Sequence, residues 1–166
     1  MLIFLKNKQT LAVDEFNFKC CIGKRGKTFN KKEGDFKTPK GTFRLGNLYY
    51  RADRERKPET KLKCIKITKK MICCDDVKNK KYYNKIKNIN KNKKFSYENL
   101  YRTDDRYNFI IPIKYNSEKK IMGQGSCIFL HLTNNYKGTA GCVALERDDF
   151  IILLKLIGTN TKILIK

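Results

Sequence analysis

Apolar side chains return at every second position in several segments of this chain, and a period of two is buried by building sheets. Phe16, Phe18, Cys20 and Ile22 fall on one face of one such segment. Phe109, Ile111, Ile113 and Tyr115 do the same in another, where Pro112, which has no N–H to give a neighbour, suggests an edge position. In a third, Cys127, Phe129, His131 and Thr133 alternate with Ile128, Leu130 and Leu132. The helical period is clearest near the end: Phe150, Leu153, Leu154 and Ile157 follow i, i+3, i+4, i+7 after an Asp148-Asp149 start. Gly158 can end that helix, and positions 161–165 read as a last strand. The pattern predicts a mainly β chain.

The length of 166 residues predicts one domain spanning 1–166, large enough to bury a sizeable core. Lys and Arg number 38 against 16 Asp and Glu, a net charge of +22 that draws polyanions toward the surface. Two readings stand: a polyanionic partner, or the Lys and Asn usage of an AT-rich genome. The second is favoured because the basic residues form no single stripe of the kind nucleic-acid readers show.

The seven cysteines, Cys20, Cys21, Cys64, Cys73, Cys74, Cys127 and Cys142, contain no CxxC pair, and His131 is the only histidine. No metal site is expected from that set. Unpatterned thiols in this number suit a reducing compartment, most of them as small buried hydrophobes. The apolar run at positions 2–5 is too short for a signal-peptide core, and no stretch approaches a transmembrane span. As written, the chain is expected to be cytoplasmic, or periplasmic if an export signal was trimmed.

Two segments lack periodicity. Positions 24–43 concentrate Gly and a Thr-Pro pair and read as a turn-rich loop leading into a strand. Positions 51–106 read as a long, loop-rich insertion over one side of the sheet. Its lysine-rich part, 78–94, is read as solvated surface, the alternative being aromatics that stack on nucleic-acid bases.

The chemistry concentrates at positions 125–150, where His131 stands on an alternating strand and Cys142 follows 11 residues later behind Thr139-Ala140-Gly141. A thiol attacks poorly at its free pKa of about 8.5, and an imidazole that takes its proton corrects this. Cys142 is therefore the candidate nucleophile and His131 its base. Gly141 permits close backbone approach, so N–H groups around 141–143 are candidates for holding a tetrahedral oxyanion.

Thr139-Ala140-Gly141-Cys142-Val143 resembles the cysteine signature of the L,D-transpeptidase catalytic-domain family. Ile128-Phe129-Leu130-His131 is similar to the strand bearing that family's histidine, and Gly34-Asp35-Phe36-Lys37-Thr38-Pro39-Lys40-Gly41-Thr42-Phe43 resembles its Thr-Pro-x-Gly-x-Phe turn. Cys74-Asp75-Asp76, Tyr83-Asn84, Leu100 to Asp105, Tyr115-Asn116 and Gly123 to Ser126 match one branch of the family. Two positions depart from it: Ala140 and Ala144 stand where many members carry His and Arg, and the interval between His131 and Cys142 is shorter than usual.

The resemblance implies a single-domain β-sandwich or barrel with one main C-terminal helix. It implies Cys142 and His131 as catalytic residues, Gly141, Thr139 and Val143 in the oxyanion loop, and Ser126 and Asn116 among substrate contacts. Arg102 is the candidate replacement for the missing arginine as a carboxylate ligand. The implied reaction is attack of Cys142 on a peptidoglycan stem peptide, release of D-alanine, and resolution of the thioester by an amine to a 3-3 cross-link. Resolution by water, an L,D-carboxypeptidase working on muropeptides, is the alternative. No cofactor and no nucleic-acid partner is expected, and a non-enzymatic basic module binding nucleic acid through 78–94 is the rival from another class.

Overall fold

The computed structural model describes residues 1–90 and 94–166. Its strands are β1 (Leu2–Leu5), β2 (Thr10–Val13), β3 (Phe16–Cys21), β4 (Lys27–Thr28), β5 (Thr38–Pro39), β6 (Gly41–Arg44), β7 (Leu48–Tyr50) and β8 (Cys64–Lys66). These are followed by β9 (Met71–Cys74), β10 (Ile86–Asn88), β11 (Tyr97–Asn99), β12 (Phe109–Pro112), β13 (Phe129–Leu132), β14 (Val143–Leu145), the helix α1 (Arg147–Leu156) and β15 (Lys162–Ile165). Ten of the strands make one curled sheet, in the order β6-β15-β1-β2-β3-β14-β13-β12-β7-β8. A three-stranded sheet, β10-β9-β11, and the small pair β4-β5 complete the β structure described. The mainly β, one-helix expectation agrees with this architecture.

One face of the large sheet buries Ile3, Leu11, Phe18, Ile111, Leu130, Leu132 and Val143 together with Phe150, Leu153 and Leu154 of α1. Phe150 stacks on Phe109 with ring centroids 5.9 Å apart. Each such side chain, fully withdrawn from water, contributes roughly 2 kcal/mol before entropy is counted. The acids Asp148 and Asp149 lie in the first turn, where they complement the helix dipole, while the cap position itself is Glu146. Ile157, in extended conformation, ends the helix one residue ahead of Gly158.

The alternation about His131 separates two cores. Ile128, Leu130 and Leu132 face α1, whereas Phe129 and Cys127 join Cys142, Tyr107, Ile110, Met71, Cys73 and Leu100 in a second cluster. The three-stranded sheet contributes Met71 and Cys73 to that cluster, so the insertion packs on the sheet instead of being only a solvated loop. Tyr83, in its lysine-rich part, is fully buried and gives its hydroxyl proton to Glu33 at 2.6 Å, so it offers no platform for a base. Positions 91–93 of that segment lie outside the described residues.

Pro112 lies on an interior strand, between β13 and β7, and not at an edge. It fits because the β7 ladder stops at Ile110, so the missing N–H falls where no β7 residue pairs. The second difference is a disulfide, Cys73–Cys127, which joins β9 to the residue two before β13 across 54 positions. Of the remaining cysteines, Cys20, Cys21, Cys74 and Cys142 are buried free thiols and Cys64 is half-buried. Among the described residues no helix is long and apolar enough to cross a membrane.

Candidate active site

β13 and β14 are parallel neighbours, with Leu130 opposite Val143 and His131 opposite Ala144. Parallel neighbours require a crossover, and here positions 133–142 make it without a helix. That loop is tied to the end of β3: Thr139 donates to the Ile22 carbonyl at 2.9 Å, and Lys24 donates to the Thr139 carbonyl at 3.0 Å. Because side chains alternate along a strand, Cys142 and His131 emerge on the same face as diagonal neighbours. Both line one cavity of about 800 Å³, within the usual size of a small-ligand site.

His131 is buried, and its Nδ1 lies 2.7 Å from the Leu132 carbonyl oxygen. A carbonyl can only accept, so Nδ1 carries the proton and Nε2 is left unprotonated. Burial, reinforced by the Arg106 and Arg102 charges, holds the imidazole down to about 4, and Tyr107 packs edge-on against its ring at 5.2 Å. The Cys142 sulfur accepts from the Phe129 N–H at 3.3 Å and points its own proton at the Cys127 carbonyl, 3.5 Å away. Burial, with the Glu98 charge adding to it, pushes this thiol up to about 12, against the pull of the Phe129 N–H and Lys31. Thiol and imidazole are therefore both neutral at rest, and the sulfur is held by backbone groups.

Gly141 has φ +143°, and a Cβ there would lie 2.9 Å from the Lys37 carbonyl oxygen. Its N–H donates to the Thr139 hydroxyl oxygen at 3.0 Å, and that hydroxyl donates to the Cys142 carbonyl at 2.7 Å. The segment holding Lys37 is the Gly-Asp-x-x-Thr-Pro turn. In it Asp35 accepts from the N–H groups of Lys32 and Lys37, each at 2.9 Å, and from the buried Lys31 ammonium. Thr38, also buried, accepts from the Gly23 N–H at 2.9 Å. The turn and the cysteine signature, a hundred positions apart in the sequence, thus press on one another at residue 141.

Arg102 lines the cavity, held by Asp104 through two contacts of 2.9 and 2.6 Å, with its guanidinium over the Tyr107 ring. Ser126 lines it too and donates to Glu33 at 2.8 Å. Val143 turns into the main core and contributes only backbone to this region. Asn116 is not brought to the cavity: it donates to the carbonyls of Ile121 and Gly125 and closes the turn between them. Ala144 lines the cavity, while Ala140 stands exposed at its rim. Among the described residues no group of three or more His, Cys, Asp or Glu could hold a metal ion.

Sequence reasoning missed Lys31, Glu33, Glu98 and Tyr107, all of which line this cavity. Lys31 and Glu33 were hidden in a charged run, and Glu98 lies on a strand of three residues. Asn84, in a segment that matches the family, accepts from the Cys127 N–H at 2.9 Å and donates to the carbonyls of Tyr115 and Asn116. It steadies Cys127, whose φ of +53° is unusual for a residue with a side chain.

The chain belongs to the L,D-transpeptidase catalytic-domain family, whose family model matches residues 1–165. No curated protein and no solved structure matches it. Members of the family are cysteine-dependent enzymes that modify peptidoglycan and act on its stem peptides.

Proposed function

We propose that this chain is an L,D-transpeptidase that forms 3-3 cross-links between stem peptides through a thioester on Cys142. The observation that carries the reading is the shared cavity of Cys142 and His131 on adjacent parallel strands, with the histidine tautomer set by the Leu132 carbonyl. Rotation about the Cα–Cβ bond of Cys142 releases the sulfur from its backbone partners toward Nε2. His131 takes the thiol proton as sulfur attacks the carbonyl carbon at the L-centre of the diamino acid. The Cys142 N–H is the donor best placed for the oxyanion, since that of Gly141 is already spent on Thr139.

Collapse of the tetrahedral species breaks the peptide bond, and the departing D-alanine amine takes the proton from His131. The thioester is then attacked by an amine of a second stem peptide, whose proton passes to His131 and back to the leaving sulfur. Arg102, with Asp104 fixing its plane, is the carboxylate ligand. The Cys73–Cys127 disulfide favours an oxidising compartment and hence work on the assembled wall, against the cytoplasmic expectation.

The test is incubation of the protein and its Cys142→Ala variant with a diaminopimelate tetrapeptide muropeptide, followed by mass spectrometry. A dimer mass with loss of D-alanine, made only by the unaltered protein, is the expected result. Tripeptide and D-alanine without dimer would replace the transpeptidase by a carboxypeptidase. Equal turnover by the Cys142→Ala variant would end the cysteine mechanism.

A further inference from the structure

The chain is strongly basic, yet Glu33, Asp75, Glu98 and Asp104 all face the one cavity that holds Cys142. Among the described residues Asp104 is the one of the four that is ion-paired, and the other three have hydroxyl partners. Asp104 is taken by Arg102 and Arg106, Glu33 by Tyr83 and Ser126, and Asp75 by Ser96. Glu98 accepts from the Tyr107 hydroxyl, and of these three it is the one whose charge bears on both the Cys142 thiol and Arg102. Its position is well defined, because β11 pairs with β9 and sets Glu98 opposite Cys73, the disulfide partner of Cys127.

A carboxylate here works against the nucleophile, since its charge opposes formation of the thiolate. Arg102, on the same wall, is near enough to interact with Glu98 electrostatically, but the two do not pair; its guanidinium is turned to Asp104. Two opposite charges that share a wall and leave each other unpaired match a ligand carrying both signs on neighbouring atoms. Such a ligand would also cancel the charge that opposes the thiolate, so that the thiol is eased toward ionisation only when the site is filled.

We infer that Glu98 binds the ammonium of a zwitterionic amino-acid end on the stem peptide, with Arg102 taking the carboxylate of the same end. The inference rests on the proposed function and narrows its substrate: a diamino acid whose distal carbon bears both groups is accepted, and one bearing only an amine loses half of the contact. Tyr107 is the positioning residue that holds the Glu98 carboxyl toward the cavity.

The test uses the full chain with Cys142→Ala, so that binding is read without turnover. Calorimetry compares a diaminopimelate tetrapeptide muropeptide with the same muropeptide acetylated on the diaminopimelate amine. Loss of one charge-assisted contact predicts binding weaker by about tenfold or more on acetylation. In Glu98→Gln, Cys142→Ala protein the two peptides should bind within about twofold of one another. Equal binding of both peptides to the Cys142→Ala protein overturns the inference, and because that comparison uses no Glu98 variant, a folding defect cannot mimic the result. If two equivalents bind and only the weaker responds to acetylation, the zwitterionic end belongs to the acceptor stem, not the donor. Discrimination by the Cys142→Ala protein without any D-alanine release by the unaltered protein would uphold the ammonium site and overturn the transpeptidase reading alone.

Discussion

Gly141 and Lys37 approach so closely that a β-carbon on the first would sit 2.9 Å from the carbonyl oxygen of the second. The contact ties the residue before the candidate nucleophile to the Thr-Pro turn, and φ of +143° adds a backbone conformation that side chains resist. Gly141→Ala should lose about 1–3 kcal/mol of stability. D-alanine release should fall by about a hundredfold, because a small displacement of reacting groups is amplified in rate. Thermal melting and D-alanine release would be measured together; a variant with unaltered turnover would show that the turn does not shape the site.

The buried His131 makes stability depend on pH in a stated direction. Its folded pKa, about 4, lies below the ordinary value of about 6.5, so the unfolded chain binds the proton first. The stabilisation is present above 6.5 and is lost as pH falls toward 4, by about 2 kcal/mol between pH 7 and pH 5. Urea midpoints should show this loss in the unaltered protein and not in His131→Asn. The acid limb of kcat/KM should likewise fall near pH 4, and a half-point between 6 and 7 would contradict a neutral, buried base.

Lys31 and Asp35 form an ion pair whose lysine side chain is 2% exposed and whose aspartate is 16% exposed. Removing the cation leaves Asp35 half-buried with its two backbone N–H bonds alone, so Lys31→Met should destabilise the fold by about 1–2 kcal/mol. It should also raise the Cys142 thiol further, because the Lys31 charge is one of the influences pulling it down. Alkylation of Cys142 by iodoacetamide, followed across pH by peptide mass spectrometry, should be slower in the variant. An equal or faster rate would remove Lys31 from the electrostatics of the site.

The Cys73–Cys127 link closes a loop of 54 residues, which corresponds to about 4 kcal/mol on chain-entropy grounds. Denatured protein kept from reductant should titrate as five thiols, and dithiothreitol should lower the melting temperature. Seven thiols in freshly purified protein would show that the pair is not joined.

How much of this was legible beforehand follows from the range of each interaction. The strand bearing His131 and the helix through Phe150 to Ile157 announce themselves because their periodicity is local. The disulfide did not, since nothing within a few positions of Cys73 or Cys127 tells one to choose the other among seven cysteines. Glu98 and Tyr107 were invisible for a related reason: one lies on a three-residue strand and the other in a turn, their surroundings are charged, and the burial that gives them meaning comes from an insertion that looks solvated in sequence. Asn116 matched a family segment, yet its side chain is spent on its own turn, which only the hydrogen bonds to Ile121 and Gly125 reveal.

The place of β15 in the large sheet bears on the order in which the chain is made. This strand pairs in parallel with β1 and antiparallel with β6, and β6, at the edge of the sheet, has no other neighbour there. A strand made after both β1 and β6 therefore fills the gap between them. Until it arrives, β6 is held only at its far end, where the Arg44 carbonyl accepts from the Lys114 N–H at 2.8 Å. The turn against which residue 141 is shaped thus runs into a strand whose neighbour in the sheet comes from residues beyond Cys142.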